Sequence, residues 1–345
     1  MQNNKLKKII IGVVAIVFIV GGIIALNIYN TYLASNISGN TKHIFVRTGG
    51  TYETFLEEVS KDNVFKNLNR FKKAAEAMDL QTALKPGRYT VKEGMSNRTL
   101  INKLKSGNQD AVQIKIQNIR KKSNFIAHIA KQLEADSAAF ASVLDSLPLL
   151  EAQGFTKDNS YTMYLPNSYD FYWNISPQEF FDKMLKEYNR FWTDEKKEKA
   201  KALGLTPQEA GVLASIVDAE ALFDSEMPTI AGLYLNRLEK GIRLQADPTV
   251  IFANDDFTVK RVTGRLLKVD SKYNTYMYGG LPPGPIMMPS LNAINAVLNR
   301  EKNNFIYMCA KEDFSGHHRF AVTVEEHNIN AKKYREALNK KQIFR

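Results

Sequence analysis

Residues 9 to 29 carry no charged side chain, and the stretch IIIGVVAIVFIVGGIIALNIY is almost wholly apolar. A helix needs about 20 such residues to cross a bilayer. Lys5, Lys7 and Lys8 precede the run, and no acid lies before it. The positive-inside rule then keeps residues 1 to 8 in the cytoplasm as a short tail and exports everything after Asn30. A cleaved signal peptide begins with the same basic tail. Its apolar core spans only about 7 to 15 residues and ends in a small-residue cleavage site, and no A-x-A follows directly here. An uncleaved, single-pass anchor is the expectation.

The 345 residues allow two modest domains, each with its own core. Hydrophobic residues at 44% and charged residues at 24% argue against long disorder. The net charge of +11, with a pI near 9.4, suits an exported domain facing anionic lipid head groups and the acidic polymers of a cell envelope. Nucleic acid is excluded as a partner because binding it takes a concentrated basic stripe, and the densest run is only Arg120-Lys-Lys122. The single cysteine, Cys309, excludes an intrachain disulfide framework and a multi-cysteine metal cluster. Its setting, FIYMCA, reads as a buried strand with the thiol in the core. The five histidines show no metal-ligand spacing, so neither metal nor cofactor is expected.

A polar connector over residues 30 to 42 leads into a unit over residues 43 to 107. HIFVRTG alternates as a strand, helices follow through residues 55 to 59 and 68 to 77, and KPGRYTV turns into a second strand. Ser96 caps a short helix that stops at Ser106-Gly107. This strand, two helices and strand resemble the plan of a LysM module, a small fold that often grips N-acetylglucosamine polymers. The pattern restarts at VQIKI from Val112, followed by helices through residues 126 to 133 and 137 to 144. The aromatic segment YTMYLPNSYDFYW reads as irregular chain, and Pro177 opens a long helix to about Lys199.

Thr206-Pro-Gln-Glu209 starts a helix with three agreeing signals: a Thr cap, Pro at the first helical position and Glu three residues after the cap. In the helix so phased, Leu213, Ile216, Val217 and Glu220 share one face. Asp218 lies about 200° from Glu220 around the axis, so the two acids of LASIVDAE cannot act side by side. A carboxyl on an apolar stripe loses hydration, which raises its pKa and makes it a candidate general acid. The alternative is a helix-end glutamate paired with Arg237 or Arg243; phase alone does not separate the two.

Downstream come IAGLYLNRL, GIRLQADPT, YNTY, GGLPPGPI, GHHRF and His327-Asn328. Taken in order with IVDAE, this series resembles the endolytic murein transglycosylases of the YceG-like family. The fold implied is α+β: one transmembrane helix over residues 9 to 29, the LysM-like subdomain over 43 to 107, and a mixed α/β catalytic domain over 110 to 345. The family helix usually reads IVEKE, and its second acid, taken as catalytic, corresponds to Glu220; Asp218 stands at the first. This chain departs from the family at Pro166-Asn167, where an acid often follows the proline. It departs again at Ile116-Gln-Asn-Ile119, which lacks the usual proline and glycine.

The resemblance implies that Glu220 cleaves the bond between N-acetylmuramic acid and N-acetylglucosamine, leaving 1,6-anhydro ends, in a bacterial cell membrane protein whose catalytic domain lies outside the cytoplasm. It implies peptidoglycan strands as substrate and peptidoglycan synthases as working neighbours. Asn236, Arg237, Gln245, Asp247, Tyr273, Asn274, Tyr276, Pro283 and His318 are the candidate substrate-binding residues. Asp247 is equally placed to cap a turn, and His327-Asn328 to cap the last helix. The competing functions are a non-catalytic peptidoglycan-binding scaffold and a lysozyme-type hydrolase.

Overall fold

The computed structural model describes residues 2–259 and 262–341. Met1 of the expected tail and residues 342–345 of the expected catalytic region lie outside the described residues, as do residues 260 and 261. The chain is a mixed helix-and-sheet protein, and among the described residues the strands pair as three two-stranded ribbons, β1–β2, β3–β4 and β5–β6. It divides into two compact units.

The first unit comprises residues 1–113 with two short additions, 132–134 and 170–175. Its first helix, α1 (Gln2–Ile28), belongs to an apolar helical stretch, Asn4–Leu33, long enough to cross a membrane. The segment after it is tied down, because Ile37 is buried and Asn36 donates to the Asn67 carbonyl and to Asn97 Oδ1, both at 2.9 Å. The order then runs β1 (Lys42–Val46), α2 (Tyr52–Lys61), α3 (Leu68–Ala77), α4 (Leu80–Ala83), β2 (Gly87–Val91) and α5 (Asn97–Ser106). β1 pairs antiparallel with β2, Ile44 opposite Tyr89. Phe55, Phe71, Leu80, Tyr89 and Leu100 fill the core. Ser96 accepts from the Thr99 N–H and Gly107, at φ 69°, ends α5, as the sequence predicts. The two additions join through Glu134, which accepts from Thr48, and Trp173, whose ring lies 4.8 Å from that of Phe45.

β3 (Val112–Ile116) leads onward to the second unit, which holds α6 (Lys122–Ala130), α7 (Ser137–Leu144) and α8 (Leu147–Glu151). The aromatic segment expected to be irregular instead forms a 3-10 turn, Asn159–Met163, and the strand β4 (Asn167–Phe171). The long helix expected from Pro177 is two, α9 (Pro177–Phe191) and α10 (Asp194–Ala202). Thr193 starts the second by accepting from the Lys196 N–H, which breaks the path at Trp192.

At the centre lies α11 (Pro207–Glu220), followed by α12 (Met227–Glu239), α13 (Asp247–Asn254) and α14 (Leu291–Leu298). Every residue of α11 from 210 to 217 is buried, the pattern of a helix packed on all sides. α14 and α12 cover it. The hairpin β5 (Tyr307–Ala310) and β6 (His318–Ala321) pairs Cys309 with Arg319, and α15 (Val324–Lys340) packs on β5.

Candidate active site

Glu220 is the last residue of α11, and its position follows from local chemistry at the other end of the helix. Thr206 Oγ1 accepts from the Glu209 N–H at 3.2 Å, and Glu209 returns a carboxylate oxygen to the Thr206 N–H at 2.8 Å. With the start fixed, the phase places Glu220 over a cavity of about 390 Å³. The face bearing Asp218 is occupied elsewhere. Gly211 lies against Thr162, Ser215 Oγ accepts from the Ile286 N–H at 3.1 Å, and Asp218 accepts from the Ser290 N–H at 2.7 Å. The two acids serve different surroundings, as the phase predicts.

Neither Arg237 nor Arg243 pairs with Glu220. Its hydrogen-bond partner among the described residues is Tyr234 of α12, whose buried hydroxyl donates to Oε1 at 3.0 Å. Burial pushes the Glu220 carboxyl up to about 7; the Tyr234 hydrogen bond pulls it down, and the negative charge of Asp247 adds to the rise. The balance follows from magnitudes: one hydrogen bond to a charged group offsets only part of the desolvation of a carboxylate. Asp218 is also raised, chiefly by burial, but it does not line this cavity.

Five other predicted residues line the cavity: Arg237, Gln245, Asp247, Tyr276 and His318. Asp247 opens α13 and accepts from the Tyr276 hydroxyl at 2.6 Å. Burial and that carboxylate push the Tyr276 hydroxyl well up. Gln245 sits at φ 51° and donates its backbone N–H to the Thr275 carbonyl. Arg237, 7% exposed, spends its guanidinium on the carbonyls of Ile306, Leu244 and Arg243 at 2.6, 2.6 and 3.1 Å. It braces the walls of the cavity.

The remaining predicted residues lie outside. Asn236 donates to the Asn303 and Phe305 carbonyls and accepts from Arg300. Asn274 donates to the Leu267 and Val269 carbonyls and accepts from the Tyr276 N–H. Tyr273 packs on Phe252 with ring centres 4.8 Å apart, in a separate cleft of about 660 Å³. Pro283 lines a third, about 910 Å³, which is larger than the Glu220 cavity but does not contain that carboxyl.

Sequence reasoning missed four residues of the site. Tyr234 lies inside the quoted IAGLYLNRL, but only the tertiary fold brings it to Glu220. Glu226, 9% exposed, accepts from the His318 N–H at 2.9 Å, and its other oxygen lies 3.1 Å from His318 Nδ1. Cys309, expected in the core, is half-buried on a cavity wall, and burial pushes its thiol up. His327 does not cap the last helix; Thr323 does, in a capping box with Glu326. His327 lines the cavity instead and stacks on Tyr307 at 5.3 Å. Among the described residues no three His, Cys, Asp or Glu side chains gather to hold a metal.

A carboxyl poised near pH 7 in a cavity bounded by tyrosines and imidazoles is equipped for proton transfer to and from a bound molecule. It is a candidate acid–base site on a mixed helix-and-sheet unit. The chain belongs to the YceG-like family, whose profile it matches over residues 44–333. It is 27% identical over 320 residues to a Bacillus subtilis protein named endolytic murein transglycosylase, covering 88% of each chain. It is 25% identical over 285 residues to proteins of the same name from two Streptococcus pneumoniae strains, and that match spans 72% of this chain and 50% of theirs. A crystal structure of a YceG-like protein from Listeria monocytogenes shares the fold with a TM-score of 0.55 at 23% identity, covering 85% of this chain and 99% of that one.

Proposed function

We propose that the protein is a membrane-anchored lytic transglycosylase of peptidoglycan, with Glu220 as its general acid and then its base. The observation that carries this reading is the half-buried Glu220 carboxyl at the end of α11, which lines a cavity and meets Tyr234 through one oxygen, a setting in which loss of hydration raises it to about 7. The names of its relatives supply the substrate.

Protonated Glu220 donates to the glycosidic oxygen between N-acetylmuramic acid and N-acetylglucosamine as the bond to C1 breaks. The acetamido oxygen of the muramic residue stabilises the positive charge that develops at C1. Glu220, now a carboxylate, takes the proton of the same sugar's C6 hydroxyl while the C6 oxygen bonds to C1. The result is a 1,6-anhydro end, no water is consumed, and the carboxyl returns protonated. A pKa near the working pH serves both halves of this cycle.

A basic tail before the apolar helix supports anchoring with the N-terminus in the cytoplasm and the remainder outside. The strand–helix–strand order of the first unit supports a LysM-like auxiliary grip on glycan. Cutting strands beside the synthases that extend them would limit strand length. Asp247 in the same cavity favours the second reading, a two-carboxylate hydrolase.

The full-length chain in detergent, incubated with purified peptidoglycan, separates the readings by mass spectrometry of the new ends. Anhydro ends that vanish in Glu220→Gln are expected. Reducing muramic ends, or cleavage that survives the substitution, would refute the transglycosylase reading, and no cleavage at all would favour a scaffold.

A further inference from the structure

His318 and Glu226 form a pair that the acid–base cycle above does not use. Glu226 lies in the turn that joins the end of α11 to α12, between Phe223 and Met227, and is 9% exposed. A buried carboxylate needs compensation, yet among the described residues no lysine or arginine reaches it. Its contacts come from a single stretch, Gly316-His-His-Arg319. The His318 N–H donates to Oε1 at 2.9 Å, His318 Nδ1 lies 3.1 Å from Oε2, and His317 Nδ1 lies 3.3 Å from Oε1. The His317 ring in turn stacks on Phe223 at 4.4 Å.

The grip on His318 is double, one carboxylate oxygen to its backbone and the other to its ring. Main chain and imidazole are therefore oriented together. A carboxylate can only accept, so the nitrogen facing it must carry the proton. In a neutral imidazole this leaves Nε2 as a lone-pair acceptor. The same device, a carboxylate behind a histidine, fixes tautomer and ring orientation where histidine acts on a metal or a nucleophile. Here the ring lines the cavity that holds Glu220.

We propose that Glu226 is a positioning residue that holds His318 as its Nδ1–H tautomer, and that His318 Nε2 accepts a hydrogen bond from a hydroxyl of the sugar bound beside Glu220. The occupant is thus a donor group, a sugar O–H, and not the acetamido carbonyl. The substrate half of this inference rests on the transglycosylase reading; the tautomer half does not.

The two halves are tested separately on the full-length chain in detergent. In protein labelled with 15N-histidine, long-range proton–nitrogen spectra at pH 8 distinguish the tautomers, with the His318 signals identified by their loss in His318→Gln. A protonated Nδ1 and a bare Nε2 are expected in the wild type; the reverse tautomer would overturn the proposal. In peptidoglycan digestion, His318→Ala and Glu226→Gln are each expected to raise KM by about tenfold, the size of one lost hydrogen bond to substrate, with a smaller change in kcat. The double variant should be no worse than either single one, because both remove the same contact. His318→Gln, which keeps an acceptor, should recover part of the loss. Unchanged KM in His318→Ala, or fully additive losses, would overturn the proposal. A wild type that shows the expected tautomer but yields no anhydro ends would refute the transglycosylase reading and with it the substrate half, leaving the positioning by Glu226 intact.

Discussion

Glutamine at position 220 keeps the shape of the side chain and removes its titration, so it measures what burial of the carboxylate takes from the fold. The Glu220 carboxyl moves from an ordinary value of 4.5 to about 7. Between those two values the folded chain keeps a proton that the unfolded chain has released. Stability therefore falls as pH rises through this window and levels off above it. At about 1.4 kcal/mol per pH unit, the wild type gives up under about 1 kcal/mol at pH 5 and about 3 kcal/mol at pH 8. Water entering the cavity screens part of this, so about 3 kcal/mol is the ceiling.

Glutamine carries no such penalty. Any fixed change that the amide brings, such as an unpartnered N–H, is the same at both pH values and cancels in the comparison. The stability of Glu220→Gln relative to wild type should thus be about 2 kcal/mol greater at pH 8 than at pH 5. Urea unfolding in mild detergent reads this, followed by the fluorescence of Trp192, which is 2% exposed in the second unit. The other tryptophan, Trp173, belongs to the first unit and is replaced by phenylalanine in both proteins, so that one unit is read at a time. A gap below about 0.5 kcal/mol would mean that the carboxyl is solvated as in the unfolded chain, and the argument for a general acid would fail.

Tyr234→Phe removes the donor that favours the Glu220 carboxylate, so the alkaline limb of the kcat/KM profile for peptidoglycan cleavage should move to higher pH; a limb that stays or falls contradicts this. Asp218→Asn should retain cleavage within a few-fold of wild type, measured by anhydro-end release, because its oxygen holds the Ser290 N–H away from the cavity and an amide oxygen does the same. Gly232→Ala decides between two opposed effects. Alanine is better than glycine inside a helix by about 1 kcal/mol, but a Cβ here would collide with the Glu301 carbonyl and the Asn303 amide. Overpacking wins, and thermal unfolding should show a loss of about 1–3 kcal/mol.

What could be read in the sequence was what neighbours in sequence decide. The caps at Thr206 and Ser96, the bounds of α7 and the phase of α11 all follow from residues within a few positions of one another. Where a local signal competed with a longer pattern, the pattern misled. The apolar stripe of α9 hid the stop at Trp192, although Thr193-Asp-Glu195 is itself a helix start. The strand β4 was invisible because its pairing with β3 is distant in sequence, and its aromatic residues suit a loop or a strand equally. For Glu220, phase left two outcomes open, and tertiary contact chose between them by bringing Tyr234 and not an arginine to the carboxyl.

The polar residues around the cavity show why their roles could not be ranked from sequence. Buried polar groups must be hydrogen-bonded whether they serve the fold or a ligand, so residue type alone does not distinguish the two. Counting hydrogen-bonding capacity does. Asn274 has both amide hydrogens and its oxygen committed to backbone, and Asn236 and Arg237 are likewise bound to carbonyls of neighbouring segments. Neither asparagine has its geometry free to follow a substrate. Glu220 meets Tyr234 through one oxygen, Asp247 meets Tyr276 through one oxygen, and His318 meets Glu226 through one ring nitrogen. Each of these three keeps an atom in reserve on the wall of the same cavity. The groups that the fold has only half satisfied are therefore the candidates to meet a ligand, and among these three it is the Glu220 carboxyl that loss of hydration raises to about 7.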